Sequence, residues 1–265
     1  MPYYVIRLKR LKVSFFCFII ILGLLSYLWH FSYSNLLEVI TLKKVWNHQG
    51  IFEKFEANRN EELAGPMTAY MKGHFPFLGI KSPLRKQLLK EQFAECALPE
   101  PGQLFNEVWK LYNLPEREYQ YSAFALIEKM KKHLTTEDFP ALLQLIETKS
   151  WWDSVDSIAP HFAGRIVKLD RDYGEKIMLE WSLSNNMWTN RSAILHQLKF
   201  KQETDTDLLF EIIKQHSSSG EFFIQKAIGW ALREYAKTNP DCVKSFVDRH
   251  HLKPLSKREA LKHFK

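Results

Sequence analysis

Glu221-Phe-Phe-Ile-Gln-Lys-Ala-Ile-Gly-Trp-Ala-Leu-Arg-Glu-Tyr-Ala-Lys237 is the stretch whose reading decides the fold. Ile224, Ala227, Ile228, Ala231 and Leu232 recur at helical spacing and form an apolar stripe. Lys226, Trp230, Arg233 and Lys237 recur at i, i+4, i+7 and i+11 on the other side, three cations around one indole. The same 3.6-residue period runs from Val45 to Lys265 in roughly a dozen segments, with no alternating runs joined by hairpin turns. The expected fold is all-α. Pro99, Pro101, Pro115, Pro140 and Pro240 punctuate the segments. Start signals are expected at Ser82-Pro83, at Thr135 or Thr136 ahead of Asp138, and at Ser218 with Glu221. Helix pairs every 35–45 residues or so suggest a curved solenoid of HEAT-like repeats with a concave groove, one body spanning 45–265.

A second stretch carries the chemistry: Thr148-Lys-Ser-Trp-Trp-Asp-Ser-Val-Asp-Ser-Ile158. Trp152 and Asp156 are four apart and share a helical face, whereas Trp151 and Trp152 diverge by about 100°, which sends at least one indole toward the core. Ser150 and Asp153 have the spacing of a capping box, which gives Asp153 a structural duty and leaves Asp156 without one. A carboxylate beside an indole face suits the stabilisation of a developing cation. Further cations and aromatics, Trp188, Arg191, Lys199 and Lys201, are expected on one helix. Basic residues interleaved with aromatics match the needs of phosphate-backbone binding, although a charged stripe is more often a solvated helix face.

Residues 1–44 form a separate segment. They hold six basic side chains against Glu38 alone, and so supply +5 of the net charge of +7. The body is close to neutral, so any case for nucleic acid rests on a local patch. Val13 to Trp29 is apolar but for Ser14 and Ser26, the run reaches Tyr33, and Arg7, Lys9, Arg10 and Lys12 precede it. Residues 13–33 read as a membrane anchor with a cytoplasmic N-terminus, or as translated sequence upstream of a later start; an apolar helix docked on the body is the third reading.

Other chemistries find no motif. His-Glu-x-x-His, Gly-x4-Gly-Lys-Ser/Thr and Gly-x-Ser-x-Gly are absent, and Cys17, Cys96 and Cys242 form neither a disulfide framework nor a metal site. His250 and His251 are adjacent and diverge on a helix. Neither metal nor organic cofactor is expected.

From about Ile51 onward the chain resembles the AlkD-like DNA alkylation repair enzymes, HEAT-like-repeat DNA glycosylases. Six blocks carry the likeness: Met67-Thr-Ala-Tyr-Met-Lys-x-His-Phe-Pro-Phe-Leu-Gly-Ile80, Leu114-Pro-Glu-Arg-Glu-Tyr119, Thr148 to Ile158, Arg191-Ser-Ala-Ile-Leu195, Glu221 to Pro240, and Pro254-Leu-Ser-Lys-Arg-Glu-Ala260. The resemblance implies excision of N3- and N7-alkylated purines from double-stranded DNA, by a monomer, in the cytoplasm with the nucleoid. By position, it implies Asp156 as the catalytic carboxylate and Trp152 and Trp230 as the indoles flanking the sugar. It further implies Arg191 and Arg233 on the DNA backbone, Tyr70 as an aromatic of the same groove, and Phe222 and Phe223 at the start of the Trp230 helix. Lys226 and Lys199 join them as candidate DNA contacts from the basic stripes. Two rivals remain: a non-catalytic HEAT-like binder of distorted DNA, and a membrane-tethered helical scaffold for protein partners.

Overall fold

The computed structural model describes residues 43–264, and the 1–42 part of the N-terminal segment, including the anchor reading of 13–33, lies outside the described residues. Among the described residues no helix is long and apolar enough to cross a membrane. They are helical throughout, with no β-strand and one isolated bridge between Lys44 and Cys96. In chain order the α-helices begin α1 (Gln49–Glu56), α2 (Glu61–Tyr70), α3 (Ser82–Glu95), α4 (Leu104–Tyr112) and α5 (Arg117–Met130). There follow α6 (Phe139–Glu147), α7 (Trp152–Ile158), α8 (Gly164–Leu169), α9 (Arg171–Ser182) and α10 (Met187–Leu195). The chain closes with α11 (Thr206–His216), α12 (Phe222–Ala236), α13 (Pro240–Arg249) and α14 (Pro254–Ala260). A π-helical turn, Ala159–Ala163, follows α7 directly.

The described residues fall into two compact units. The smaller, from 43–58 and 81–99, contains α1 and α3. Ile51 and Phe55 are buried on α1, and Trp46 stacks on Phe93 at 5.7 Å. The larger, from 59–80 and 100–264, contains every other helix. Within it α4 packs on α5, α9 on α10, α10 on α12, and α12 on both α13 and α14, the neighbour-to-neighbour burial of a helical repeat.

The helix starts were only partly legible. Thr135 and Asp138 form the expected capping box, with the Thr135 N–H donating to Asp138 Oδ2 at 2.8 Å. Helix α3 begins at Ser82 itself, after Lys81. The Ser218–Glu221 box does not form: Glu221 occupies the cap position of α12, and its N–H donates to Ser219 Oγ at 3.2 Å. Nor does Ser150 cap α7, because its hydroxyl donates back to Ile146 O at 2.6 Å. Trp151 is the cap residue, and Ser154 fills the box position, its hydroxyl bonded to the Trp151 backbone.

Two anchors place the elements that matter for function. The Glu118 carboxylate on α5 accepts the N–H groups of Leu78, Gly79 and Ile80, each at 3.0 Å, and fixes the loop after α2. Gly79 has φ +82°, and a Cβ there would lie 2.0 Å from Asn60 O at the start of α2, so no side chain fits. The second anchor is Lys149, whose ammonium donates to Tyr112 O at 2.8 Å and Leu114 O at 2.6 Å and ties the turn before α7 to the end of α4.

Candidate DNA-binding and catalytic cleft

Helix α7 projects two carboxylates, and each is gripped by an arginine in the same way. Arg117 Nε and Nη2 donate to Asp153 at 3.0 and 2.8 Å, while Nη1 donates to Lys149 O at 2.9 Å. Arg191 Nε and Nη2 donate to the two oxygens of Asp156, both at 2.8 Å, while Nη1 donates to Phe223 O. Asp153 is therefore the buried half of an ion pair and not a cap, which corrects the sequence reading. Tyr121 adds a hydroxyl donor to it at 2.6 Å, and the Phe75 ring lies 3.8 Å below the Arg117 guanidinium.

Asp156 looks the other way. It lines an open cleft of about 290 Å³ with Trp152, Arg191, Phe222, Phe223, Lys226, Trp230, Arg233 and Glu259. These residues come from α7, α10, α12 and α14 and lie far apart in sequence. Burial pushes the Asp156 carboxyl above the usual aspartate range, Arg191 draws it down by hydrogen bond and charge, and Asp153 raises it again. Trp152, on the same face of α7, meets the exposed Tyr70 ring edge-on at 6.1 Å, which brings Tyr70 to the rim.

A second aromatic group backs this wall. Trp151 contacts His74 at 4.1 Å, Phe223 at 5.2 Å and Trp188 at 5.6 Å, and Phe223 contacts Phe222 at 5.3 Å. Phe222 is exposed. Such ring clusters hold an edge rigid while leaving one apolar tip in solvent.

The basic residues divide. Lys226 and Arg233 line the cleft, and both pair with Glu259, at 3.0 and 2.8 Å. The Glu259 carboxyl is held down to about 2 by those two cations. Lys237 pairs with Glu234 at 2.6 Å, so the stripe read on α12 is matched by acids along its length. Arg191 also lines the cleft, but its side chain is only 5% exposed and three of its five N–H donors are committed to Asp156 and Phe223 O. The placement of Lys199 on the Arg191 helix is corrected: α10 ends at Leu195, and Lys199 falls in the exposed turn beyond it, outside the cleft. No local pattern gave Glu259 or Arg117 a role, although both lie in blocks that carry the resemblance, since their partners lie 26 and 36 residues away. Among the described residues no group of three or more His, Cys, Asp or Glu side chains is placed to hold a metal ion.

The cleft thus brings a carboxylate, two indoles and two cations paired with Glu259 together on one open wall of a helical repeat. The family model of the DNA alkylation repair enzymes matches residues 51–264, and the chain belongs to that family. Among solved structures it is similar to a predicted DNA alkylation repair enzyme from Enterococcus faecalis. That match has 39% identity and a TM-score of 0.70, covering 78% of this chain and 96% of that one. It is also similar to smu.31 from Streptococcus mutans UA159, with 18% identity, a TM-score of 0.52, and 68% and 92% of the two chains covered. The second likeness extends to the fold alone. No curated protein matches.

Proposed function

We propose that the chain is a DNA glycosylase that releases N3- and N7-alkylated purines from duplex DNA. The observation that carries this reading is Asp156: a carboxylate on the wall of an open cleft, four residues after Trp152, its charge compensated from behind by a buried arginine. Such a purine bears a positive charge before it leaves. Cleavage of its bond to C1′ sends the electron pair to the base nitrogen and neutralises it, so no general acid is required. What needs help is the oxocarbenium-like sugar. A fixed carboxylate stabilises it electrostatically, and the faces of Trp152 and Trp230 add cation–π attraction. Water then adds at C1′, and its proton passes to solvent by way of Asp156.

The bidentate grip of Arg191 is compatible with this role. It occupies one lone-pair direction on each Asp156 oxygen and leaves the others for water. Arg191 thereby keeps Asp156 ionised and oriented; in this reading it is a positioning residue. Contact with the DNA backbone falls to Arg233 and Lys226, and the exposed Tyr70 and Phe222 supply aromatic surface at the cleft's edges. The cleft is open, which suits recognition through sugar and backbone over complete enclosure of a flipped base.

The test is release of free 7-methylguanine from methylated duplex DNA by wild-type and Asp156→Asn protein. The variant is expected to lose about 10²-fold or more in rate, as when a preorganised electrostatic partner is removed, while retaining duplex affinity within a few fold. Unchanged turnover would remove Asp156 from the mechanism. Duplex binding with no base release by the wild type would favour the non-catalytic binder.

A further inference from the structure

Glu259 is the one charged cleft residue with no part in the chemistry above, and its geometry gives it a task. Its carboxylate accepts from Arg233 Nη1 at 2.8 Å through Oε2 and pairs with Lys226 Nζ at 3.0 Å through Oε1. Arg233 Nη1 also reaches the Glu259 backbone carbonyl at 3.3 Å. Arg233 is thus held at one corner only. Its Nε and Nη2 donate to no group among the described residues, and these two form the edge that matches two phosphate oxygens. Arg191, with Nε, Nη2 and Nη1 all committed, has no such edge.

The carboxylate is not needed to seat α14. That helix packs on α12 at Gly229, where a Cβ would lie 2.3 Å from Glu259 Cβ and 3.0 Å from Ser256 O. Ser256 Oγ donates to Gln225 O at 3.1 Å and pins the same contact. Backbone and small-residue packing place Glu259, and its charge is left to organise the two cations beside it.

We propose that Glu259 is a positioning residue for DNA-backbone recognition, holding Arg233 and Lys226 so that the free guanidinium edge meets a phosphate in the cleft. The inference rests on the reading of the cleft as a DNA site. A preformed pair of donors loses less side-chain freedom on binding than two mobile ones. The consequence has an unusual sign. Glu259→Gln raises the protein's net charge by one, which by long-range attraction alone strengthens DNA binding; loss of the positioning contact weakens it.

The experiment is a double-mutant cycle on duplex affinity with wild type, Glu259→Gln, Arg233→Ala and the double variant, each checked by thermal unfolding. Glu259→Gln is expected to weaken binding by about threefold or more. Added to Arg233→Ala it is expected to change affinity less than about twofold. Tighter binding by Glu259→Gln would overturn the proposal, as would a full penalty that persists without Arg233. In either case wild-type binding and base release leave the glycosylase reading intact. A wild type that does not bind duplex DNA would overturn both.

Discussion

The Arg117–Asp153 and Arg191–Asp156 pairs leave the same short helix three residues apart, yet their surroundings differ. In each, Nε and Nη2 of the arginine clasp the carboxylate and Nη1 reaches a backbone carbonyl. Around Arg117 every side is closed: the guanidinium is fully buried over the Phe75 ring, and Tyr121 takes up a lone pair of Asp153. Around Asp156 one side is open, and the carboxylate is 16% exposed on the cleft wall. An arginine–carboxylate clasp is therefore neither structural nor functional in itself. Under the proposed function, access to the acid separates the two.

The sharpest way to break this contrast is to remove each acid and measure stability in denaturant. Asp153→Ala strands a guanidinium with no route to water, and breaking a buried pair in this way costs about 3–5 kcal/mol. Asp156→Ala leaves Arg191 beside a cleft that water can enter, so the expected loss is less than about half of that. Equal losses in the two variants would show that openness at Asp156 does not relieve the charge, and the comparison would fail.

A finer test separates Arg191 from Arg233 through the salt dependence of duplex binding. Arg233 presents a free edge, so Arg233→Ala is expected to flatten the slope of log affinity against log salt by about 0.9, one phosphate contact. Arg191 is committed to Asp156 and Phe223, so Arg191→Ala is expected to leave the slope unchanged while impairing base release. A flattened slope for Arg191→Ala would place its guanidinium on the DNA after all.

The difference between the two arginines explains what could be read in advance. The α12 stripe was legible because Lys226, Trp230 and Arg233 obey a local period, and Trp152 and Asp156 were legible as one face for the same reason. Local spacing also misled. Ser150 and Asp153 fit a capping box, but the competing partner of Asp153 is 36 residues upstream, and a buried guanidinium outweighs a terminal N–H. Periodicity located Arg191 on its helix without showing that α7 and α12 close over it. Lys199 was assigned to a helix that ends four residues earlier. The assignment of chemistry to Asp156 came from resemblance, since no local pattern distinguishes a catalytic carboxylate from a solvated one. Glu259 was invisible because its meaning lies in two cations on another helix.

The smallest expected effect lies in the pH profile set by the cleft-lining pair. Burial holds the Asp156 carboxyl above its ordinary value of 3.8, with Arg191 opposing. The proposed reaction needs the ionised form, so excision is expected to fall on acidification with a limb above pH 3.8. The sign for stability is the reverse. A carboxyl raised in the folded state costs stability above its unfolded value, and that cost is relieved as the pH falls through the folded one. Arg191→Met removes the opposing charge, so it should move the surviving limb further upward, whereas a substitution at Arg117 acts on Asp153 and should shift it little. Rates of 7-methylguanine release measured from below pH 3.8 up to neutrality would decide it. A limb at the same position in wild type and Arg191→Met would mean that the arginine fixes the geometry of Asp156 without setting its charge.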